Sequence, residues 1–145
     1  MIVLVGIEKG GTGKSTIATN LAAWLAKQGR DVLIVDADLQ ATSANWASER
    51  RSNPQLSRVH CTQRYGSIYD DLRDYAKRYD EVVVDAGGRD SVELRSAMCA
   101  ADALISPLRP TQADLWTVSH LAKLVKMARS LNPQLISHVV MNAVS

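Results

Sequence analysis

Apolar positions along this chain recur in two patterns. Short runs of aliphatic residues are separated by longer segments in which apolar side chains return every three or four positions. The runs predict strands, and the longer segments predict amphipathic helices. The predicted strands are residues 2–5, 32–35, 56–61, 81–84, 103–106 and 135–141. The predicted helices are residues 15–28, 42–51, 68–78, 91–100 and 115–131.

The strongest strand segments are continuously apolar rather than alternating, as in residues 2–5 (IVLV) and 32–35 (VLIV). Such runs indicate burial on both faces of a sheet, and the helices between them favour a mostly parallel β-sheet with helices on both faces. A chain of 145 residues suffices for one core, and no repeat or linker divides it. We therefore predict a single α/β domain over residues 1–145.

Composition narrows the class of protein. The chain is 46% hydrophobic and 22% charged, which is typical of a folded globular protein, and its net charge of +2 permits nucleic-acid contact without arguing for it. Cys61 and Cys99 lack the spacing of a structural zinc site. No apolar run reaches the roughly 18–20 residues that span a bilayer, so we expect no membrane association and a cytoplasmic location.

A glycine-rich loop carries the most specific chemistry. Residues 9–16, between the first strand and the first helix, read KGGTGKST. In a P-loop the glycines turn backbone N–H groups toward phosphate oxygens, and the helix start adds its positive dipole end. Lys14 would reach the β- and γ-phosphates, and the Ser15 hydroxyl would bind magnesium. The alternatives are a glycine-rich turn without ligand and a dinucleotide-binding turn, which does not need this lysine and hydroxyl.

Acidic residues follow two other strands. Asp36 and Asp38 end the second strand, and Asp85 ends the strand over 81–84, just before Gly87 and Gly88. The carboxyl ends of parallel strands meet at one edge of a sheet, where ligands bind. Carboxylates there would hold magnesium through its waters. Helix capping, or a solvated start of the loop, is the alternative reading of Asp36 and Asp38.

Five segments together resemble the ParA/MinD family of deviant P-loop ATPases, closest to small ParA-type partition ATPases. They read KGGTGKST (9–16), DADLQ (36–40), VVVD (82–85), LRPTQADL (108–115) and VVMN (139–142). The likeness covers the whole chain. It departs from the family pattern at Leu39 (no proline) and Ala143 (no arginine), while Glu8 stands where the general P-loop pattern has a glycine. The chain is expected to be C-terminally truncated relative to the family.

The resemblance implies a role for each matching residue. Lys9 would cross a dimer interface to the partner's nucleotide, Asp38 would orient the attacking water, and Asn142 would read the adenine edge. Asp114 would pair with a lysine across the interface. The implied catalytic residues are Lys9, Lys14 and Asp38. The implied nucleotide-binding residues are Gly10, Gly11, Thr12, Gly13, Lys14, Ser15, Thr16 and Asn142, and those implied for metal are Ser15, Asp36 and Asp85.

The resemblance also implies a function: an ATPase that hydrolyses slowly, with ATP/ADP and Mg²⁺ as cofactors. It would form a homodimer on ATP, bind DNA without sequence preference, and respond to a ParB-like centromere-binding protein in plasmid or chromosome partitioning in a bacterial cytoplasm. Two alternatives stay open: a MinD-like membrane-associated positioning ATPase, and a shortened module that binds nucleotide or a partner without hydrolysis.

Basic residues form two loose groups that either contact DNA phosphates or only meet solvent. They are Arg50, Arg51, Arg58 and Arg64, and on the last helix Lys123, Lys126 and Arg129.

Overall fold

The computed structural model describes residues 1–7 and 9–142, and within them the chain forms six strands and five helices. Glu8, which departs from the general P-loop pattern, and Ala143, which departs from the family pattern, lie outside the described residues. The strands are β1 (Ile2–Val5), β2 (Val32–Ala37), β3 (His60–Gln63), β4 (Glu81–Ala86), β5 (Ala103–Leu108) and β6 (Ile136–Met141). The helices are α1 (Lys14–Lys27), α2 (Thr42–Arg51), α3 (Tyr69–Tyr75), α4 (Val92–Ala100) and α5 (Gln112–Leu131).

All strand pairs run parallel, in the order β3-β2-β4-β1-β5-β6. β1, β2 and β4 are buried along their whole length, as their continuous apolar runs predict. One face of the sheet packs on a core that includes Leu94 of α4 and Leu121 of α5, and the other on a smaller core that includes Ala18 and Ala22 of α1. The predicted α/β fold with helices on both faces is confirmed.

The strand register places the acidic residues side by side. β2 pairs with β4 so that Asp36 lies opposite Asp85, and β1 pairs with β4 so that Val5 also lies opposite Asp85. The loop that leaves β1 is therefore next to both acidic strand ends. This is the edge where parallel α/β sheets bind ligands.

Three predicted elements differ from those observed. The strand predicted at 56–61 is β3 (His60–Gln63), an edge strand that is only partly buried and so carries a weak apolar signal. The helix predicted at 68–78 ends at Tyr75, after which Ala76 is the C-cap. The helix predicted from 115 begins at Gln112, because the Thr111 side chain accepts a hydrogen bond from a backbone N–H of the first turn.

β6 departs from the rule of burial on both faces. It forms the sheet edge beside β5, and its apolar side chains are largely exposed, with Ile136 57% and Val139 47% accessible. The apolar run predicts the strand correctly, but it does not report how far neighbouring elements cover it.

Candidate functional site

The loop after β1 needs glycine at two positions. Gly11 and Gly13 have φ angles of 72° and 93°, in the left-handed region that side chains with a Cβ rarely adopt. A Cβ on Gly13 would also lie 2.3 Å from Nδ2 of Asn142. That amide donates a hydrogen bond to the Thr12 carbonyl at 2.9 Å. Asn142 thus braces the loop backbone, and its adenine contact stays a prediction.

An open cavity of about 590 Å³ lies over this loop, within the usual size range of small-ligand sites. It is bordered by the P-loop, by the segment after β2 and by the glycines after β4. Of the residues predicted to act on nucleotide or metal, those that line it are Gly10, Gly11, Gly13, Lys14, Ser15, Thr16 and Asp38.

Lys14 is a buried cation at the base of the loop. Its side chain is held where Nζ donates to the Lys9 carbonyl at 2.8 Å, and the residue is 6% accessible. Burial lowers the pKa of Lys14, and the nearby charges of Asp85 and Asp38 act in the opposite direction. A lysine confined in this way presents a fixed positive charge to an anion in the cavity.

Ser15 and Asp85 form the core of the predicted metal site. The Ser15 hydroxyl donates to Oδ2 of Asp85 at 2.7 Å, and the Ser43 hydroxyl donates to the same oxygen at 2.6 Å. Oδ1 of Asp85 is buried and has no hydrogen-bond partner within the described residues. Burial raises the pKa of Asp85, against the two serine hydrogen bonds. A hard cation with its waters would satisfy this oxygen, so the donor set fits Mg²⁺.

Protein side chains alone do not complete a metal site here. Among the residues that the structure describes, no group of three or more His, Cys, Asp or Glu could hold an ion. Mg²⁺ commonly takes only one or two protein ligands and fills its shell with waters and substrate phosphates. The Ser15 and Asp85 pair therefore fits a magnesium ion that arrives together with a nucleotide.

Asp36 is buried beside Asp85, and both of its oxygens already accept backbone hydrogen bonds. Oδ1 accepts from the N–H of Asp38 at 3.0 Å, and Oδ2 accepts from the N–H of Ala44 at 2.8 Å. Burial raises the pKa of Asp36, and these two hydrogen bonds oppose that shift. The capping alternative for Asp36 is thus realised, and its contact with magnesium stays a prediction.

Asp38 lines the cavity, as its predicted catalytic role requires. Its Oδ1 accepts from the N–H of Gln40 at 3.0 Å. A Cβ on Gly87 would lie 3.7 Å from its carboxylate carbon, an ordinary van der Waals contact. Gly88 is the tight position, since a Cβ there would lie 2.8 Å from the backbone of Gly10. The loops after β1, β2 and β4 therefore meet closely around the cavity.

Lys9 pairs within its own chain. Its Nζ donates to Oδ1 of Asp114, the first acidic residue of α5, which is fully buried. Arg109 donates to Oδ2 of Asp114 from its backbone N–H at 2.8 Å and from Nε at 3.2 Å. These hydrogen bonds, first from Arg109 and then from Lys9, hold the pKa of Asp114 well below its usual range. Lys9 and Asp114 thus pair within one chain, and the pairing of Asp114 with a lysine of a partner subunit stays a prediction.

Sequence reasoning missed two contacts. Ser43 was not singled out, although a hydroxyl in the first turn of a helix that follows an acidic strand end is a usable signal. Arg109 was noted only as part of the LRPTQADL segment, and nothing local pointed to its bonds with Asp114.

In the described part of the chain, no helix has both the length and the apolar character needed to cross a membrane.

The parallel sheet with a glycine-rich loop, lysine and serine at its central strand end defines a P-loop nucleotide-binding domain. The chain belongs to the family of the CobQ/CobB/MinD/ParA nucleotide binding domain, whose model matches residues 3–145. The resemblance to the ParA/MinD family is thereby confirmed.

Two curated relatives illustrate the family. Maintenance of carboxysome distribution protein A from Halothiobacillus neapolitanus is 31% identical over 137 residues, which cover 92% of this chain and 62% of that protein. The chromosome-partitioning ATPase Soj from Thermus thermophilus is 29% identical over 158 residues, covering 88% and 63% respectively. This chain therefore spans about three fifths of the length of these relatives.

Solved structures share the fold at lower identity. A plasmid partition protein from Borrelia burgdorferi aligns with a TM-score of 0.76 at 20% identity, covering 97% of this chain and 77% of that one. Cobyrinic acid a,c-diamide synthase from Mycobacterium smegmatis, with bound ATP analogue and magnesium, aligns with a TM-score of 0.80 at 21% identity, covering 97% and 73%.

Proposed function

We propose that this chain is the nucleotide-binding part of an ATP- and Mg²⁺-dependent switch that hydrolyses ATP slowly and dimerises in the ATP-bound state. The observation that carries the proposal is the convergence of Lys14, the Ser15 hydroxyl and the Asp85 carboxylate at the strand ends that border one cavity. A phosphate needs the cation, and its metal needs the two oxygen ligands. The structurally similar cobyrinic acid a,c-diamide synthase holds an ATP analogue and magnesium, which supports ATP and Mg²⁺ as the ligands of this cavity.

Each residue has a defined task in this proposal. The loop N–H groups and Lys14 hold the phosphates, and the Thr16 hydroxyl contacts the α-phosphate. The Ser15 hydroxyl and, through water, the Asp85 carboxylate hold the magnesium, which offsets phosphate charge. Asp38 orients the attacking water from the edge of the cavity. Asn142 holds the loop through a hydrogen bond from its side-chain amide to the Thr12 carbonyl.

Dimerisation places a second requirement on Lys9. To reach the nucleotide of a partner subunit, its ammonium has to leave the carboxylate of Asp114. Arg109 stays on that carboxylate, so Asp114 keeps a cationic partner when Lys9 moves. Lys9 would exchange the Asp114 carboxylate for the phosphates of the partner's ATP, so ATP stabilises the position of Lys9 that the dimer needs.

The biological role we propose is the positioning of a cargo, with DNA partitioning as the first case. In this role the ATP-bound dimer would bind DNA without sequence preference, and a ParB-like partner would stimulate hydrolysis. The relatives named for chromosome partitioning support DNA as the cargo. Those named for carboxysome distribution support the same switch acting on a protein compartment.

Binding of a fluorescent ATP analogue, with Mg²⁺ and with EDTA, tests the nucleotide site. Lys14→Gln should abolish binding because it removes the buried cation. Lys27→Gln, an exposed lysine at the other end of α1, is the matched control and should bind like the wild type. Undiminished binding by Lys14→Gln would contradict the proposal.

Hydrolysis is tested separately with Asp38→Ala, which should bind ATP and lose turnover. A wild-type chain that binds ATP and shows no turnover would instead favour the shortened binding module.

A further inference from the structure

Helix α2 begins against both acidic strand ends. Asp36 and Asp85 are register partners on β2 and β4. The Ala44 N–H of the first turn donates to Asp36, and the Ser43 hydroxyl of the same turn donates to Oδ2 of Asp85 at 2.6 Å. Ser43 is completely buried.

We propose that Ser43 is a positioning residue for the metal site: its hydroxyl holds the Asp85 carboxylate through Oδ2, which leaves Oδ1 to accept from a water of the magnesium shell when the metal is bound. The inference rests on the proposed function, because it concerns the metal that accompanies the nucleotide. No role had been assigned to Ser43 from the sequence.

The two oxygens of Asp85 have different surroundings. Both donors, Ser15 at 2.7 Å and Ser43 at 2.6 Å, use Oδ2, and Oδ1 has no partner within the described residues. Two donors from different elements fix the rotation of the carboxylate about its Cβ–Cγ bond. The unpartnered oxygen is then aimed in one direction before any metal arrives, which is the arrangement that a preorganised site needs.

The two serines have different tasks. Ser15 lines the cavity, and a hydroxyl has one proton to donate and lone pairs to offer, so Ser15 can bind the metal while its O–H still donates to Asp85. Ser43 does not line the cavity; its hydroxyl donates to Asp85, and its backbone N–H also bonds the carboxylate of Asp36. The hydroxyl therefore acts on the metal through the Asp85 carboxylate.

The hydroxyl of Ser43 does not serve as a helix cap. The N-cap of α2 is Ala41, which makes no side-chain cap hydrogen bond, and Ser43 donates to a strand end rather than accepting from the helix backbone. The bond instead links α2 to the end of β4, where the metal-holding carboxylate lies. Its loss should therefore weaken metal binding.

The experiment compares wild type, Ser43→Ala and Ser48→Ala. Ser48 is exposed on the same helix, so its substitution is the same chemical change without the Asp85 bond. Affinity for a fluorescent ATP analogue is measured in EDTA and along a Mg²⁺ titration, and binding of Mn²⁺ is followed by electron paramagnetic resonance. Ser43→Ala should weaken the apparent metal affinity by about tenfold or more, as loss of an outer-shell partner typically does, with the affinity in EDTA unchanged. Ser48→Ala should match wild type.

Three outcomes separate the possibilities. A wild-type chain whose ATP affinity does not respond to Mg²⁺ would defeat the proposed function itself. A responsive wild type with an equally responsive Ser43→Ala would overturn only the role of Ser43, as would an equal loss of affinity in EDTA and in Mg²⁺, which marks a purely structural role.

If Ser43→Ala does not fold, Ser43→Cys keeps the side-chain shape with a much weaker donor. Its apparent metal affinity should then be lower than that of wild type with the affinity for the ATP analogue in EDTA unchanged, and a wild-type metal affinity would overturn the inference.

Discussion

Replacement of Gly13 by alanine should destabilise the fold and disable the site for two separable reasons. Gly13 is the N-cap of α1 and has φ 93°, a left-handed conformation that a residue with a Cβ adopts at a penalty of about 1–2 kcal/mol. Its added methyl would also lie 2.3 Å from the amide nitrogen of Asn142 and so displace it. That displacement breaks the bond from Asn142 to the Thr12 carbonyl, worth about 0.5–1.5 kcal/mol.

The two effects together predict a loss of about 2–3 kcal/mol in the free energy of unfolding. In a domain of this size that loss lowers the melting temperature by roughly 5–10 °C. Gly29, just beyond the other end of α1, provides the matched control. It has φ 81°, and a Cβ there would meet nothing within 4 Å, so Gly29→Ala carries only the backbone penalty.

Urea unfolding of both variants, each also combined with Asn142→Ala, measures the two effects as a double-mutant cycle. Gly13→Ala should be more destabilising than Gly29→Ala by about 1 kcal/mol. The difference should vanish when Asn142 is truncated, because the displaced amide is then absent. Equal losses for the two glycines in the wild-type background would refute the account of Asn142 as a brace.

Three further outcomes follow from charge and burial. Because Arg109 and Lys9 hold the pKa of Asp114 below its ordinary value, the stability it contributes is complete above about pH 4 and is lost as the pH falls through the lowered folded-state pKa. Urea unfolding across the acid range should show this extra loss in wild type but not in Asp114→Asn, and parallel profiles would contradict it. Burial raises the pKa of the Cys61 thiol to about 12, so iodoacetamide at pH ~8 should label Cys61 at least about tenfold more slowly than in the unfolded chain, as followed by mass spectrometry; labelling at the unfolded rate would oppose this. Burial also raises the pKa of Asp85, so its stabilising contribution is present below the unfolded-state pKa and is lost as the pH rises through the folded-state pKa. Asp85→Asn should therefore melt higher than wild type at neutral pH in EDTA while ATP binding loses its response to Mg²⁺, and a lower melting temperature would count against the reasoning.

Local patterns predicted the central part of the fold well. β1 and β4 are short apolar runs buried on both faces, and α2 occupies Thr42–Arg51 as predicted. In these elements the local sequence preference and the tertiary burial agree. The bounds of β3 and the exposure of β6 were less well predicted because both strands lie at edges of the sheet, where burial depends on neighbours that a short sequence window does not include.

The site followed the same division. Lys14, Ser15 and Asp85 could be grouped from the sequence because parallel strands bring their carboxyl ends to one edge. The pairing of Lys9 with Asp114 joins residues 105 positions apart, and the brace from Asn142 to Thr12 spans 130. Such contacts depend on how α5 packs on the sheet and where β6 ends, and no local sequence pattern predicts them.

The molar mass in solution tests the ATP-dependent switch most directly. Light scattering would be recorded with Mg²⁺ and a non-hydrolysable ATP analogue, with Mg²⁺ and ADP, and without nucleotide, for wild type and Lys9→Ala. The mass should rise from the 15.8 kDa of one chain to twice that value only for wild type with the ATP analogue. The mass of a single chain under every condition, with the analogue demonstrably bound, would contradict it.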